Sequence, residues 1–401
     1  MRPRSFALAL PLAASALLAV AARPARPQAL LGTGDAGGHA WYFDTPGVDL
    51  PTPAVVELTS LPNDAQPHGV ALFGPRLALL ADFDRQRLLV VDPLTDTLRR
   101  IVPTSPWRGL GTVAISPNGA FALAAGDDQG VSSGLFVIDN PFAAAPFVRV
   151  LALPSSQHVH SWQTAAIRFA ADGRAFVATH HRDNVFGAAS PNASFVHVLD
   201  PPYTAIAASI ALPVAAATTS NFDHAEGLAV SPDGGVVLVA NGDRELYVLR
   251  APFTAGMTVE TLDAAAVPVR CGSAVTATPE GAAMLVADYC NDRLTMLPAP
   301  YTSVAGAQSV IAAGGAGTGR GFEHVAVSPD GALAYLTGNV VGTAVGDLWV
   351  VEAPFVNGAV QHSVTLPADE RGAGSVEFTS DKLLYDGFES GDTSVWSAAT
   401  S

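Results

Sequence analysis

Short apolar runs, broken by tight turns, recur along almost the whole chain. The clearest instance is residues 226–241: the run Leu228 to Val230 meets Ser231-Pro232-Asp233-Gly234, and a second run, Val236 to Ala240, leads to Asn241. Proline presets the φ of a turn's second residue, aspartate stabilises the turn locally, and glycine accepts the positive φ that closes a hairpin. The pattern therefore predicts strand, turn, strand. Neither run alternates cleanly with polar residues, so both faces of each strand are expected to be buried.

Aligning the chain on the apolar residue three before each turn gives Val70, Val113, Ile167, Leu228, Val275, Val325 and Val376, spaced roughly fifty residues apart. The turns that follow read FGPR, SPNG, AADG, SPDG, TPEG, SPDG and TSDK. A second run ends at Asp82, Gly126, His180, Asn241, Asp288, Gly338 and Asp386. Third runs such as RLLVVD, GLFVID and ELYVLR follow, then Pro-aromatic turns (NPF, PPY, APF, APY, APF) and a fourth run. Four short strands per unit at this period predict an all-β fold, a seven-bladed β-propeller of four-stranded antiparallel blades. Six units are complete. Val376–Phe378 and Leu383–Asp386 begin a seventh, whose outer strand is expected from residues 54–60, so that both chain ends close the ring and remove two exposed edges.

The repeat GLAVSPDG…LVAN…LYVL resembles the YVTN-type propeller repeat and, more loosely, seven-bladed lactonase-like propellers. The resemblance covers residues 41–390, although the YVTN tetrapeptide itself is replaced by LLAD, VATH, LVAN and LVAD. It implies the fold and says little about activity, because this ring hosts enzymes, binding modules and scaffolds alike.

Composition adds a compartment. Arg2 and Arg4, the apolar residues 5–18 and the small-x-small site Ala19-Val20-Ala21 form a bacterial-type export signal over 1–21. Residues 22–40, rich in Pro, Gly and Ala, are expected to be a mobile leader, with a tail over 391–401. The tail segment DGFESGDTSVWS resembles a short C-terminal motif of exported bacterial proteins and equally fits strands of the last blade. The expected location is periplasmic or extracellular, for a monomer with no membrane span after cleavage. With a formal charge of −15 and one lysine, Lys382, nucleic acid is excluded as a partner, leaving a small molecule or a protein.

Two cysteines in an exported chain predict one disulfide. Centring the turn on Glu280-Gly281 sets Cys271 opposite Cys290 across the first and second strands, within bridging distance.

The chemistry is less defined. Two positions before each anchor stand His68, Gly111, Ala165, Glu226, Ser273, Glu323 and Gly374, on the face where loops gather around the channel. His68, His180, His224, Glu226, Glu323 and His324 are the candidate binding residues at that channel mouth. His68, His224, Glu226 and Glu323 are candidate ligands for a divalent metal that would polarise a lactone or activate water. The alternative is that Asp and Asn at the strand ends bond backbone amides and the histidines are ordinary loop residues. The string Gly130-Val131-Ser132-Ser133-Gly134 lies between strands, where an esterase elbow would need a strand-to-helix turn. No clustered catalytic set is visible, so the first reading is a binding or scaffold module. The second is a metal-dependent, lactonase-like hydrolase or lyase.

Overall fold

The computed structural model describes residues 29–33, 39–43, 55–83, 85–104, 109–127, 133–154, 157–159, 166–181, 194–213, 225–242, 245–263, 269, 271–312, 320–340, 346–365 and 373–378. These form seven antiparallel sheets arranged as blades, with one short 3₁₀ turn at Pro93–Thr95. No helix among them is long and apolar enough to cross a membrane.

The repeated turn explains itself at atomic scale. In blade 4 the Ser231 hydroxyl donates to Asp233 (2.5 Å) and accepts from the Val236 amide (2.9 Å), while the Gly235 amide donates to Asp233 (3.0 Å). Gly234 closes the loop at φ +70°. Ser328, Asp330 and Leu333 repeat these bonds in blade 6, and Ser116, Asn118 and Phe121 in blade 2. Each residue of Ser-Pro-Asp-Gly thus holds a separate part of the turn.

From the channel outwards, blade 1 comprises Pro67–Leu72, Ala78–Asp82, Arg87–Asp92 and Thr97–Pro103. Blade 2 (Leu110 to Ala152), blade 4 (Ala225 to Asp263), blade 5 (Gly272 to Ala312) and blade 6 (Arg320 to Thr365) repeat that order. Blade 3 departs from it. Its innermost strand is split into Gln157–His158 and Ile167–Phe169, both paired with Ala175–His181.

The inner strands are buried on both faces, as the apolar runs predicted, while outermost strands such as Thr97–Pro103 stay largely exposed. Blades 5 and 6 share a cluster that includes Ala274, Leu285, Phe322, Val325 and Trp349. Similar clusters join blades 1 and 2, blades 2, 3 and 4, blades 4 and 5, and blades 6 and 7. Leu30 and Tyr42 of the closing blade pack with Val70 and Leu80 of blade 1, which completes the ring.

The closing blade corrects one boundary. Ala373–Phe378 is its innermost strand, followed by Ala29–Thr33, Ala40–Phe43 and Val55–Glu57. Both chain ends close the ring, and the outermost strand does come from the segment 54–60. However, Ala29–Thr33, which composition put in the leader, is the second strand, with Leu30 and Leu31 wholly buried. A stretch rich in Gly and Ala reads as a linker, yet ALLGT supplies enough apolar side chain to pair with Ala373–Phe378. That strand holds the place assigned to Leu383–Asp386, which lies outside the described residues, as do residues 1–21 and the 391–401 tail.

Candidate functional site: the central channel

The innermost strands share a second feature at one end. Their pairing with the second strand slips by one residue between Pro67 and Gly69, Leu110 and Thr112, Ala225 and Gly227, Gly272 and Ala274, and Phe322 and His324. The extra residues are His68, Gly111, Glu226, Ser273 and Glu323. These are the positions that the alignment set around the channel mouth, so those residues occupy equivalent places on one rim. A bulge bends the strand and re-aims the side chain at that point. The closing blade slips at the same level, between Leu31 and Thr33 opposite Val376 and Ala373. In blade 3 the split strand takes the place of the bulge, and Ala165 lies outside the described residues.

The rim residues fall into two groups. His68 is buried, with Nδ1 3.4 Å from the Gly111 carbonyl and its ring against Phe83. The Ser273 hydroxyl donates to the Phe322 carbonyl of the next blade (2.6 Å). Both stitch neighbouring strands together. Glu226 and Glu323 are half-buried, and burial, then Glu323 and Asp292, raises the nearby Tyr289 phenol above its ordinary value. His180 is fully buried and pairs with His158 across the strands of blade 3. His224 lies outside the described residues. Among the described residues, no three His, Cys, Asp or Glu side chains are grouped so as to hold a metal ion.

The residues ending the second strands bond the backbone. Asp288 accepts from the amides of Cys271 (3.1 Å), Cys290 (3.0 Å) and Asn291 (3.2 Å). Asp82 accepts from the Gln66 amide (2.9 Å) and from Arg87 (2.5 Å). Beside Asp288, Cys271 and Cys290 form the disulfide, with Cα atoms 5.3 Å apart. The register expected from the turn holds from Ala277↔Met284 to Ala274↔Ala287. The bulge at Ser273 then shifts it, so that Gly272 pairs with Asp288.

His324 is one residue past its bulge, buried, and turned inwards. Its Nδ1 lies 3.4 Å from the Val376 amide and its Nε2 3.3 Å from the Arg168 guanidinium, which reaches over from blade 3. Burial, then the charges of Arg168 and His68, holds its pKa well below 6.5. A neutral imidazole accepts a hydrogen bond at one nitrogen only, so it satisfies one of these two donors.

Arg168 and Glu377 escaped the sequence reading. Both occupy the position just after the anchor, where the other blades carry Ala71, Ala114, Ala229, Thr276 and Ala326. Two long charged side chains among five small ones were the available signal. They share the wall of a channel cavity of about 220 Å³ with Val70, Leu72, Val113 and Ile115. Pro117, from the Ser-Pro-Asn-Gly turn, also lines it, so this cavity lies towards the opposite end of the channel from the bulged rim. Burial raises the Glu377 carboxyl, and the charge of Arg168 opposes that shift.

Fold and channel together define a seven-bladed β-propeller. No family model matches the chain, and no curated protein matches it significantly in sequence. Solved structures match it in fold. The chain is similar to the β-propeller domain of Cps50 (Swd1) from Myceliophteria thermophila, at 14% identity and a TM-score of 0.52, over 77% of this chain and 89% of that one. It is also similar to a functionally unknown protein from Desulfotomaculum acetoxidans, at 10% identity and a TM-score of 0.59, over 88% of this chain and 99% of that one. At such identities the likeness is to a fold.

Proposed function

We propose that this chain is an exported binding or scaffold module that presents a ligand-docking or protein-docking rim where the innermost strands begin. The observation that carries the reading is the ring of bulges. Glu226 and Glu323 are the extra residues of two of these bulges and are half-buried, which supports their use at the channel mouth. A bulge can re-aim a side chain as well as end a pairing. His68, buried against the Gly111 carbonyl, and Asp82 and Asp288, engaged by backbone amides, serve the scaffold. The Cys271–Cys290 bridge and the signal-like residues 1–21 support export, because disulfides persist in oxidising compartments.

Elemental analysis of the exported protein, combined with a lactone-hydrolysis assay, tests this reading. The expected result is substoichiometric divalent metal, no hydrolysis above the uncatalysed rate, and a mature N-terminus just after Ala21. One metal per chain, lost together with lactone hydrolysis on Glu226→Gln and Glu323→Gln substitution, would establish the metal-dependent hydrolase instead.

A further inference from the structure

We infer that the cavity at the far end of the channel is a binding site for a small aliphatic α-amino acid, with Arg168 taking its carboxylate and Glu377 its ammonium group. This goes beyond the rim reading and does not depend on it, because none of the bulged rim residues lines the cavity, although the Arg168 guanidinium reaches back to His324.

The first support is the pair of charges. Arg168 and Glu377 stand on the walls of one cavity, and among the described residues no ion pair or hydrogen bond joins them. Of the five N–H groups of Arg168, one donates to the Ile167 carbonyl (3.0 Å), and Nη2 faces His324. Donors therefore remain for an occupant. A guanidinium fork matches a carboxylate with two parallel bonds, a geometry that an ammonium cannot reproduce. Glu377 is an acceptor on the same wall, its carboxyl raised by burial and drawn back by the charge of Arg168, with which it shares no hydrogen bond. One cation and one anion held apart in the same cavity fit a zwitterion better than a simple acid or amine.

Size and lining narrow the class. About 220 Å³ is roughly seven water volumes at ~30 Å³ each, and it falls short of the ~300 Å³ at which drug-sized pockets begin. Nucleotides and oligosaccharides are too large, and a sugar would find few polar partners. Val70, Leu72, Val113 and Ile115, with Phe169 and Phe378, offer apolar contact to a side chain of leucine or valine size. The small residues at the equivalent position of the other blades, such as Ala71 and Ala114, leave the Arg168 side chain and its occupant room in the channel.

The experiment is calorimetric titration of the full chain with L-leucine, with isocaproate, which lacks the ammonium group, and with isoamylamine, which lacks the carboxylate. Wild type should bind leucine, and each truncated ligand at least about tenfold more weakly, the loss expected for one charge-assisted contact. Arg168→Gln should weaken leucine and isocaproate but not isoamylamine. Glu377→Gln should weaken leucine and isoamylamine but not isocaproate. Absence of leucine binding in the wild type would overturn the proposal. So would isocaproate or isoamylamine binding as tightly as leucine, or leucine affinity unchanged in both variants. The three-ligand comparison on wild type stands by itself if a variant does not fold.

Discussion

His197 shows how one buried side chain sets a response of the whole molecule. It is fully buried in the third strand of blade 3, between the Thr179 hydroxyl at Nε2 and the Ser209 hydroxyl at Nδ1, both 2.9 Å away. Burial holds its pKa at about 4, against 6.5 for the free side chain. Between these values the unfolded chain binds a proton that the folded chain refuses. The stability contribution is therefore complete above pH 6.5 and is lost as pH falls towards 4. At ~1.4 kcal/mol per pH unit, it amounts to at most about 3–4 kcal/mol. Urea titrations at pH 7 and pH 4.5 should show that fall in wild type and a smaller one in His197→Asn. Equal slopes would remove His197 as its source. Gly374 is the second residue-scale case: a Cβ there would stand 2.6 Å from the His68 carbonyl oxygen of the adjoining blade. Gly374→Ala should cost about 1–3 kcal/mol by overpacking, whereas Gly256→Ala, with nothing within 4 Å, should be neutral.

At the scale of elements, the hairpins were legible because their turns are written in side chains that bond locally. Ser231, Asp233 and Gly234 hold the turn locally, and the same letters recur in blade 6, with Asn118 in place of the aspartate in blade 2. The bulges were not legible. A slipped register depends on pairing with the second strand and on contact with the neighbouring blade, as where Ser273 bonds the Phe322 carbonyl, and neither leaves a local mark. The disulfide was predicted despite this, since a one-residue slip remains within side-chain reach. It ties the channel-side end of the blade 5 hairpin, beside the amides gathered by Asp288. Cys271→Ser with Cys290→Ser should cost about 3 kcal/mol and lower the melting temperature. Thiol titration of the denatured, unreduced wild type should find no free thiol; two per chain would refute the bridge.

For the whole molecule, the period near fifty residues made the ring, its blade count and its closure by both chain ends legible, but not the second strand of the closing blade. Ala29–Thr33 has no Ser-Pro-Asp-Gly hairpin and lies in a segment rich in Gly and Ala, so its strand is specified by Ala373–Phe378, far away in sequence. Arg168 and Glu377 were missed for a related reason. Each looks like an isolated charge in a short strand until the blades are superimposed and the channel brings both to one cavity. Rim and cavity alike exist only if the N-terminal strands complete blade 7 against the C-terminal one. The pair Leu31↔Val376 tests this most directly, because the two are register partners in the closing blade. Leu31→Cys with Val376→Cys, oxidised under native conditions and mapped by mass spectrometry of the digest, should give a bridge joining those two peptides beside the Cys271–Cys290 bridge. A folded protein in which both introduced thiols stay free, or pair elsewhere, would contradict the closed ring.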